Sequence, residues 1–462
     1  MRNNYKIITA EENNTCSDKA ESGKIYADFS RLIQEIKPLH GICNSRRTFG
    51  EPLAEIIEAG IPYTRLHDTF GKYGGNMVVD IPNIFRDFNA DPDDPTSYDF
   101  TFTDAYLKGL AASGLKIVYR LGVTIENAYN IKPMRIAPPA DYRKWANICA
   151  HIIRHYNYGW ADGFHYNIEY WEIWNEPEQP AMWTGTREDY FELYKVTASY
   201  LKEQFPELKI GGYGSSGFCA YLNKKLAEHP KYYSFLTFFD AFLRFVQQTK
   251  VPFDFFSWHY YPQKVEELLK CQRYVENKLD EYGFNDVEIL IDEWNYMDWN
   301  IEDRFDAQKE MPGATCVASV FCIMQKQTRV SKMMYYDGQS EVRYGGLYYF
   351  PSEKVSKTYY VFRMFNALYR LGYEVYSAVP EDDNIFAIAA SDGKGKYAML
   401  ITNVNGADRF VEFDTNLDSV KRACTVLEAS RVFVSTDTLF QSDKKIRLPG
   451  MSVILLEWYE NQ

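Results

Sequence analysis

The feature that most constrains the fold is an alternation repeated eight times. Short apolar runs lie at residues 39–44, 61–67, 115–121, 168–174, 208–212, 253–258, 287–292 and 330–336. They are continuous rather than alternating in polarity, as expected of strands buried on both faces. Amphipathic stretches lie between them, at 51–59, 141–156, 187–205, 233–248, 314–327 and 356–371. In the second of these, Trp145, Ile148, Cys149 and Ile152 recur at helical spacing. Eight strands alternating with helices over residues 37–372 predict an α/β fold, a (β/α)8 barrel spanning 36–372.

After Gly372 the pattern changes. Short strands at 385–390, 397–404, 410–413, 423–427 and 452–458 are separated by turn signals such as Asn405-Gly406 and Pro449-Gly450. Residues 373–462 therefore read as a C-terminal antiparallel β-sandwich domain. Residues 1–35 are polar and then read as helical over 26–36; this segment is also a candidate to add a strand to the sandwich.

Composition removes several partners. A net charge of -12 argues against nucleic acid and against an anionic membrane. No apolar run reaches transmembrane length, and residues 1–24 lack the apolar region of a signal peptide. The eight cysteines occur singly with no CxxC pair, which argues against a zinc site and, without a visible signal, for a cytoplasmic address. A homo-oligomer is compatible with the sequence.

The chemistry sits at two strand ends. Ile168 to Trp174 is β-branched and aromatic, and Pro177 ends the strand by removing a backbone donor. Pro177 also disfavours the helical region for Glu176, which is expected to be extended just past the fourth strand. The seventh strand ends in Asp292-Glu293-Trp294-Asn295. Both acids therefore fall at carboxyl ends of barrel strands, the face where such barrels carry active sites. Two carboxylates on one rim suit glycosidic bond cleavage: one donates a proton to the leaving oxygen, the other stays ionised. Glu176 is read as the acid/base and Glu293 as the nucleophile. Asp292 is the rival to Glu293, because strict alternation turns only one of the two inward. A helix-capping role is the rival for Glu176.

Trp174-Asn175-Glu176-Pro177 and Asp292-Glu293-Trp294-Asn295 resemble the clan A glycoside hydrolases. Within that clan the chain resembles glycoside hydrolase family 39, the family of β-xylosidases and α-L-iduronidases. The similarity extends to Thr64-Arg65-Leu66-His67, Gly211-Gly212, Ser257-Trp258-His259-Tyr260-Tyr261 and Ser356-Lys357-Thr358-Tyr359-Tyr360. The resemblance implies a retaining glycoside hydrolase acting on an oligosaccharide. Asn175 would bind the sugar 2-hydroxyl, and Tyr261, with Tyr260 as register competitor, would orient the nucleophile.

Arg65 is expected to favour the ionised form of Glu293, or to pair with Glu172 beneath the mouth. His67 and His259 are candidate donors to sugar hydroxyls, and Trp294, Trp299 and Trp183 candidate stacking faces. Two segments depart from the family. The eighth strand ends in Met333-Met334-Tyr335-Tyr336-Asp337-Gly338 where the clan often carries a tryptophan. The segment at the end of the third reads Tyr119-Arg120-Leu121-Gly122-Val123-Thr124-Ile125-Glu126, in which Arg120 and Glu126 either read an unusual or charged sugar or pair together. Xylose as the sugar is therefore open.

No cofactor or metal is called for, since two carboxylates suffice. Gly212-Tyr213-Gly214-Ser215-Ser216-Gly217 matches a dinucleotide-binding pattern but lies mid-chain, after the fifth strand. His151 and His155 have helical spacing without the glutamate of a zinc-protease motif. Asn13-Asn14-Thr15 matches a glycosylation acceptor, which carries no meaning without secretion. A transglycosylase using the same two glutamates and a non-catalytic carbohydrate-binding barrel are the alternatives.

Overall fold

The structure is a computed structural model that describes residues 24–69, 78–124, 136–380, 384–417, 421–442 and 444–459. Glu126, the Asn13 acceptor and Cys16 lie outside the described residues. The first described element is strand β1 (Lys24–Glu35), where the sequence suggested a helix over 26–36. Ile25, Ala27 and Phe29 are buried while Lys24, Tyr26 and Asp28 are half-buried. That is a period of two, and pairing with distant strands decides the matter over local propensity.

The eight apolar runs form eight parallel strands. They are β2 (Gly41–Cys43), β3 (Tyr63–Leu66), β4 (Lys116–Leu121), β5 (Tyr170–Ile173), β6 (Lys209–Ser215), β7 (Phe255–Tyr260), β8 (Glu288–Trp294) and β9 (Val330–Tyr336). They close in sequence order, with β9 pairing back to β2. A helix follows each strand: α1 (Ala54–Ala59), α2 (Thr101–Ala112), α3 (Tyr142–Tyr158), α4 (Arg187–Gln204), α5 (Pro230–Thr249), α6 (Val265–Glu281), α7 (Met311–Gln327) and α8 (Lys357–Leu371). The architecture is the expected (β/α)8 barrel; α2 and α6 are the two helices the periodicity did not single out. Local signals fix several ends. Thr186 and Asp189 form a capping box at the start of α4, and Gly159 closes α3 in the left-handed region.

Alternation sorts the strand residues. Tyr63, Val118, Tyr170, Phe255, Leu290 and Met334 fill the barrel interior. Leu66, Ile117, Trp171, Ile173, Ile289 and Ile291 face the surrounding helices. The polar layer that carries the site sits above the first set, at the carboxyl ends.

The remaining strands are the small pair β10 (Tyr348–Tyr349) and β11 (Lys354–Val355), then β12 (Tyr373–Ala378), β13 (Ile385–Ser391), β14 (Lys396–Asn403), β15 (Arg409–Thr415), β16 (Lys421–Leu427), β17 (Val434–Ser435), β18 (Phe440–Ser442), β19 (Lys445–Leu448) and β20 (Ser452–Tyr459). β1 and β12–β20 make one ten-stranded sheet in the order β17-β16-β20-β14-β13-β12-β1-β15-β19-β18. All its pairings are antiparallel except β1 with β15. The sheet curls back on itself. Phe413 of β15 stacks on Trp458 of β20, with ring centroids 6.2 Å apart, although the two strands are far apart in the sheet. On its other face, Ile388, Ala390, Ala398, Leu400, Val453 and Leu455 join the apolar cluster that holds α7 and α8. The sheet and the barrel thus share a core.

Candidate active site

The site is built on Arg65, at the end of β3 and fully buried. Its guanidinium lies 2.7 Å from Glu172, 2.9 Å from Asp292 and 3.3 Å from Glu293. It also donates to Asn175 Oδ1 at 2.7 Å. Both roles considered for Arg65 are therefore occupied at once. A planar fork with five donors can serve this many partners where a lysine could not.

Asp292 and Glu293 both face this arginine, which corrects the expectation that alternation admits only one. Trp258 pairs with Ile291 and the next residue, His259, pairs with Glu293, so β8 holds one extra residue there. This bulge turns two successive acids toward the barrel axis. It also sends Trp294 outward. Trp294 is fully buried against Tyr335 and Phe321, at 5.3 and 6.0 Å between rings, on the helix side of the strand. Its proposed role as a sugar-stacking face is overturned. Trp183 is likewise buried, packed on Trp174, whereas Trp299 is exposed with Arg304 over its ring.

Glu176 follows β5 with φ of 47°, in the left-handed region rather than the extended one expected; Trp174 has φ of 72°. Two non-glycine residues in that region within three positions mark a strained turn of the kind found at functional sites. Its N–H donates to Gly214 O at 2.9 Å. Gly214 itself has φ of 58°, and a Cβ there would lie 3.0 Å from Arg65 and 3.2 Å from His259. A Cβ at Gly217 would lie 2.1 Å from the His259 carbonyl. The glycine-rich stretch that mimics a dinucleotide motif thus lets β6 pass close beneath the site.

His259 stands between the two acids. Its Nδ1 is 2.8 Å from Glu176 Oε1 and 3.6 Å from Glu293 Oε2, and its Nε2 is 3.4 Å from Asp292. Carboxylate oxygens of Glu176 and Glu293 lie within 4.8 Å of each other. Burial opposes a charged imidazole, but Glu293, Asp292 and Glu176 outweigh it and hold the His259 pKa well above its ordinary value. The charged imidazole then donates from Nδ1 to Glu176 Oε1. Burial also favours neutral Asp292, yet Arg65 and His259 hold it down to about 2. Glu172 is pushed the other way, to about 8, by burial and by the charge on Asp292 against the pull of Arg65.

Glu293 is pushed up to about 7 by burial and the nearby Glu176, against His259 and Arg65. Arg65 touches it as expected but does not dominate, because its charge is shared with Glu172 and Asp292. The Tyr261 hydroxyl donates to Glu293 Oε1, while Tyr260 turns away toward Glu267 at 3.5 Å. Tyr261 also packs edge-on against Tyr336, which donates to Asp68 at 2.6 Å and stacks on Tyr344. These tyrosines occupy the rim where the clan often carries a tryptophan.

His67 is buried beside the site, its Nε2 3.1 Å from Asp68. Burial, Arg120, Arg65 and His259 hold its pKa well below the ordinary value, so it is neutral. Arg120 pairs with Asp80 at 2.8 Å and donates to the His67 carbonyl and Thr124. It is a fully buried buttress of the third strand's end, and the pairing with Glu126 considered for it lies outside the described residues. The sequence reading missed Gln179, whose amide donates to Glu176 Oε2 at 2.7 Å. Its only signal was its place three residues after the acid, within one turn.

A family model described as glycosyl hydrolases family 39 matches residues 57–297, just over half of the chain, and ends beyond both acids. The chain belongs to glycosyl hydrolases family 39. Within this family it is similar to a beta-xylosidase of Geobacillus stearothermophilus, 24% identical over 227 residues, which are 47% of this chain and 39% of that one. A beta-xylosidase of Caldicellulosiruptor saccharolyticus is 28% identical over 217 residues, 44% of this chain and 37% of that one. The matches thus span under two fifths of either relative. Over the whole fold, a glucosidase structure from Croceicoccus marinus superposes with a TM-score of 0.74 at 20% identity, covering 95% of this chain and 99% of that one. Among the described residues of this family 39 chain, no helix is long and apolar enough to cross a membrane.

Proposed function

We propose that this family 39 chain is a retaining glycoside hydrolase that cleaves an oligosaccharide or simple glycoside by double displacement. Glu176 protonates the leaving oxygen and Glu293 attacks the anomeric carbon. Glu176, now the base, then activates a water that releases the sugar. The observation that carries this reading is the approach of the two carboxylates to within 4.8 Å. Retaining pairs stand about 5–5.5 Å apart, whereas inverting pairs leave room for water at about 6.5–9.5 Å.

The surrounding groups fit those roles. Arg65, His259 and the Tyr261 hydroxyl converge on Glu293, favour the charged form that attack requires and fix its orientation. Arg65 engages the oxygen of Asn175, which leaves the amide NH2 as the donor for a sugar 2-hydroxyl. The names of the matched relatives make β-xylosides and glucosides the first substrates to try.

The test is a panel of aryl glycosides, with the anomer of the first-released sugar followed by NMR. Retention is expected. Release of the inverted anomer would sink the double displacement. Glu176→Gln should lower kcat/KM by about 10²–10⁴-fold on poor leaving groups. It should cost far less on a dinitrophenyl glycoside, whose departure needs no proton.

A further inference from the structure

We propose that Trp299 is the floor of a second sugar subsite: its indole face stacks on a pyranose ring adjoining the one whose bond is cleaved. This rests on the hydrolase reading of the two glutamates.

The nine tryptophans are unevenly placed. Seven are buried, and Trp160 is half-buried against Tyr98 and His151. Trp299 alone among them is exposed, at 64%. A large apolar ring left in water adds nothing to the core, so its exposure calls for another use. Its place is the catalytic face. It lies six residues past Glu293, on the loop that joins β8 to α7. Met297, two residues before it, donates its N–H to the Pro262 carbonyl at 3.0 Å. Pro262 directly follows Tyr261, whose hydroxyl holds Glu293.

The ring is set rather than loose. Asp298 Oδ1 accepts from the Asn300 N–H at 2.9 Å and from its Nδ2 at 3.1 Å, which puts Trp299 at the tip of a tight turn. The Arg304 guanidinium lies over the indole, 5.4 Å from its centroid, and 5.0 Å from the ring of Phe305. The carbonyls of Phe305 and of Arg343, in the loop after β9, both accept from Lys309 Nζ at 2.6 Å. The loop is therefore tied to the rims after β7 and β9 alike. A cation over one face of the indole fixes its orientation and leaves the other face for a ligand. A pyranose offers such a face its own layer of C–H groups, and its edge hydroxyls can take the N–H groups of Arg304.

The experiment compares wild type with Trp299→Ala on two pairs of substrates, in xylose and glucose versions. An aryl disaccharide against the aryl monosaccharide adds a ring on the non-reducing side. Xylobiose or cellobiose against the glycosyl fluoride adds a ring on the leaving-group side. One of the two kcat/KM ratios is expected to fall about tenfold, and the one that falls names the side. Trp299→Phe, which keeps a smaller ring, should recover part of the loss. In Glu293→Gln, the disaccharide that wild type cleaves should shield one tryptophan from acrylamide quenching. Adding Trp299→Phe should abolish that shielding. Two unchanged ratios in a folded variant overturn this inference and leave the hydrolase reading standing. A wild type silent on every glycoside overturns both.

Discussion

At Glu293 two influences compete. Burial and Glu176 favour the neutral acid, Arg65 and His259 the carboxylate, and the balance lies at about 7. Attack requires the carboxylate, so the acid limb of kcat/KM should lie near pH 7, the rate rising with pH through it. A pH–rate profile at low substrate concentration measures this in the free enzyme. An acid limb near 4.3, the ordinary glutamate value, would mean that the cations win. The pair of acids was legible in the sequence because each ends an apolar run and is followed by Pro or Trp-Asn. The field around them was not. Arg65 serves Glu172, Asp292 and Glu293 together, and that sharing depends on residues from three strands.

Strand ends decide what each side chain faces. The eight runs and their order were readable because buried parallel strands are short and apolar. The bulge in β8 was not, since one extra residue leaves no compositional mark, and it reversed the fate of Trp294. β1 was misread for a related reason: its partners, β12 and β15, lie hundreds of residues away. The glycines of β6 looked like a phosphate cradle and instead relieve crowding. Gly214→Ala should therefore destabilise the fold by about 1 kcal/mol or more from its left-handed backbone alone. It should also lower kcat by pushing on Arg65 and His259. Thermal melting and kcat with the best glycoside measure the two effects. A variant with wild-type kcat would show that β6 has room to spare.

Across the whole molecule the barrel and the curled sheet are joined by an apolar layer in which α7 and α8 meet β13, β14 and β20. The chain should therefore melt in one transition by calorimetry. A version ended at Gly372 should aggregate or lose cooperative unfolding, because its two outer helices would present their apolar faces to water. Two well-separated transitions in the intact chain would count against the shared layer. The place of β1 has one more consequence. Tyr26 pairs with Ala378 and Lys24 with Glu412. During synthesis this strand leaves the ribosome long before β12 and β15 and must wait for them with its edges bare. Chaperones that shield unpaired strands have their longest window on this segment.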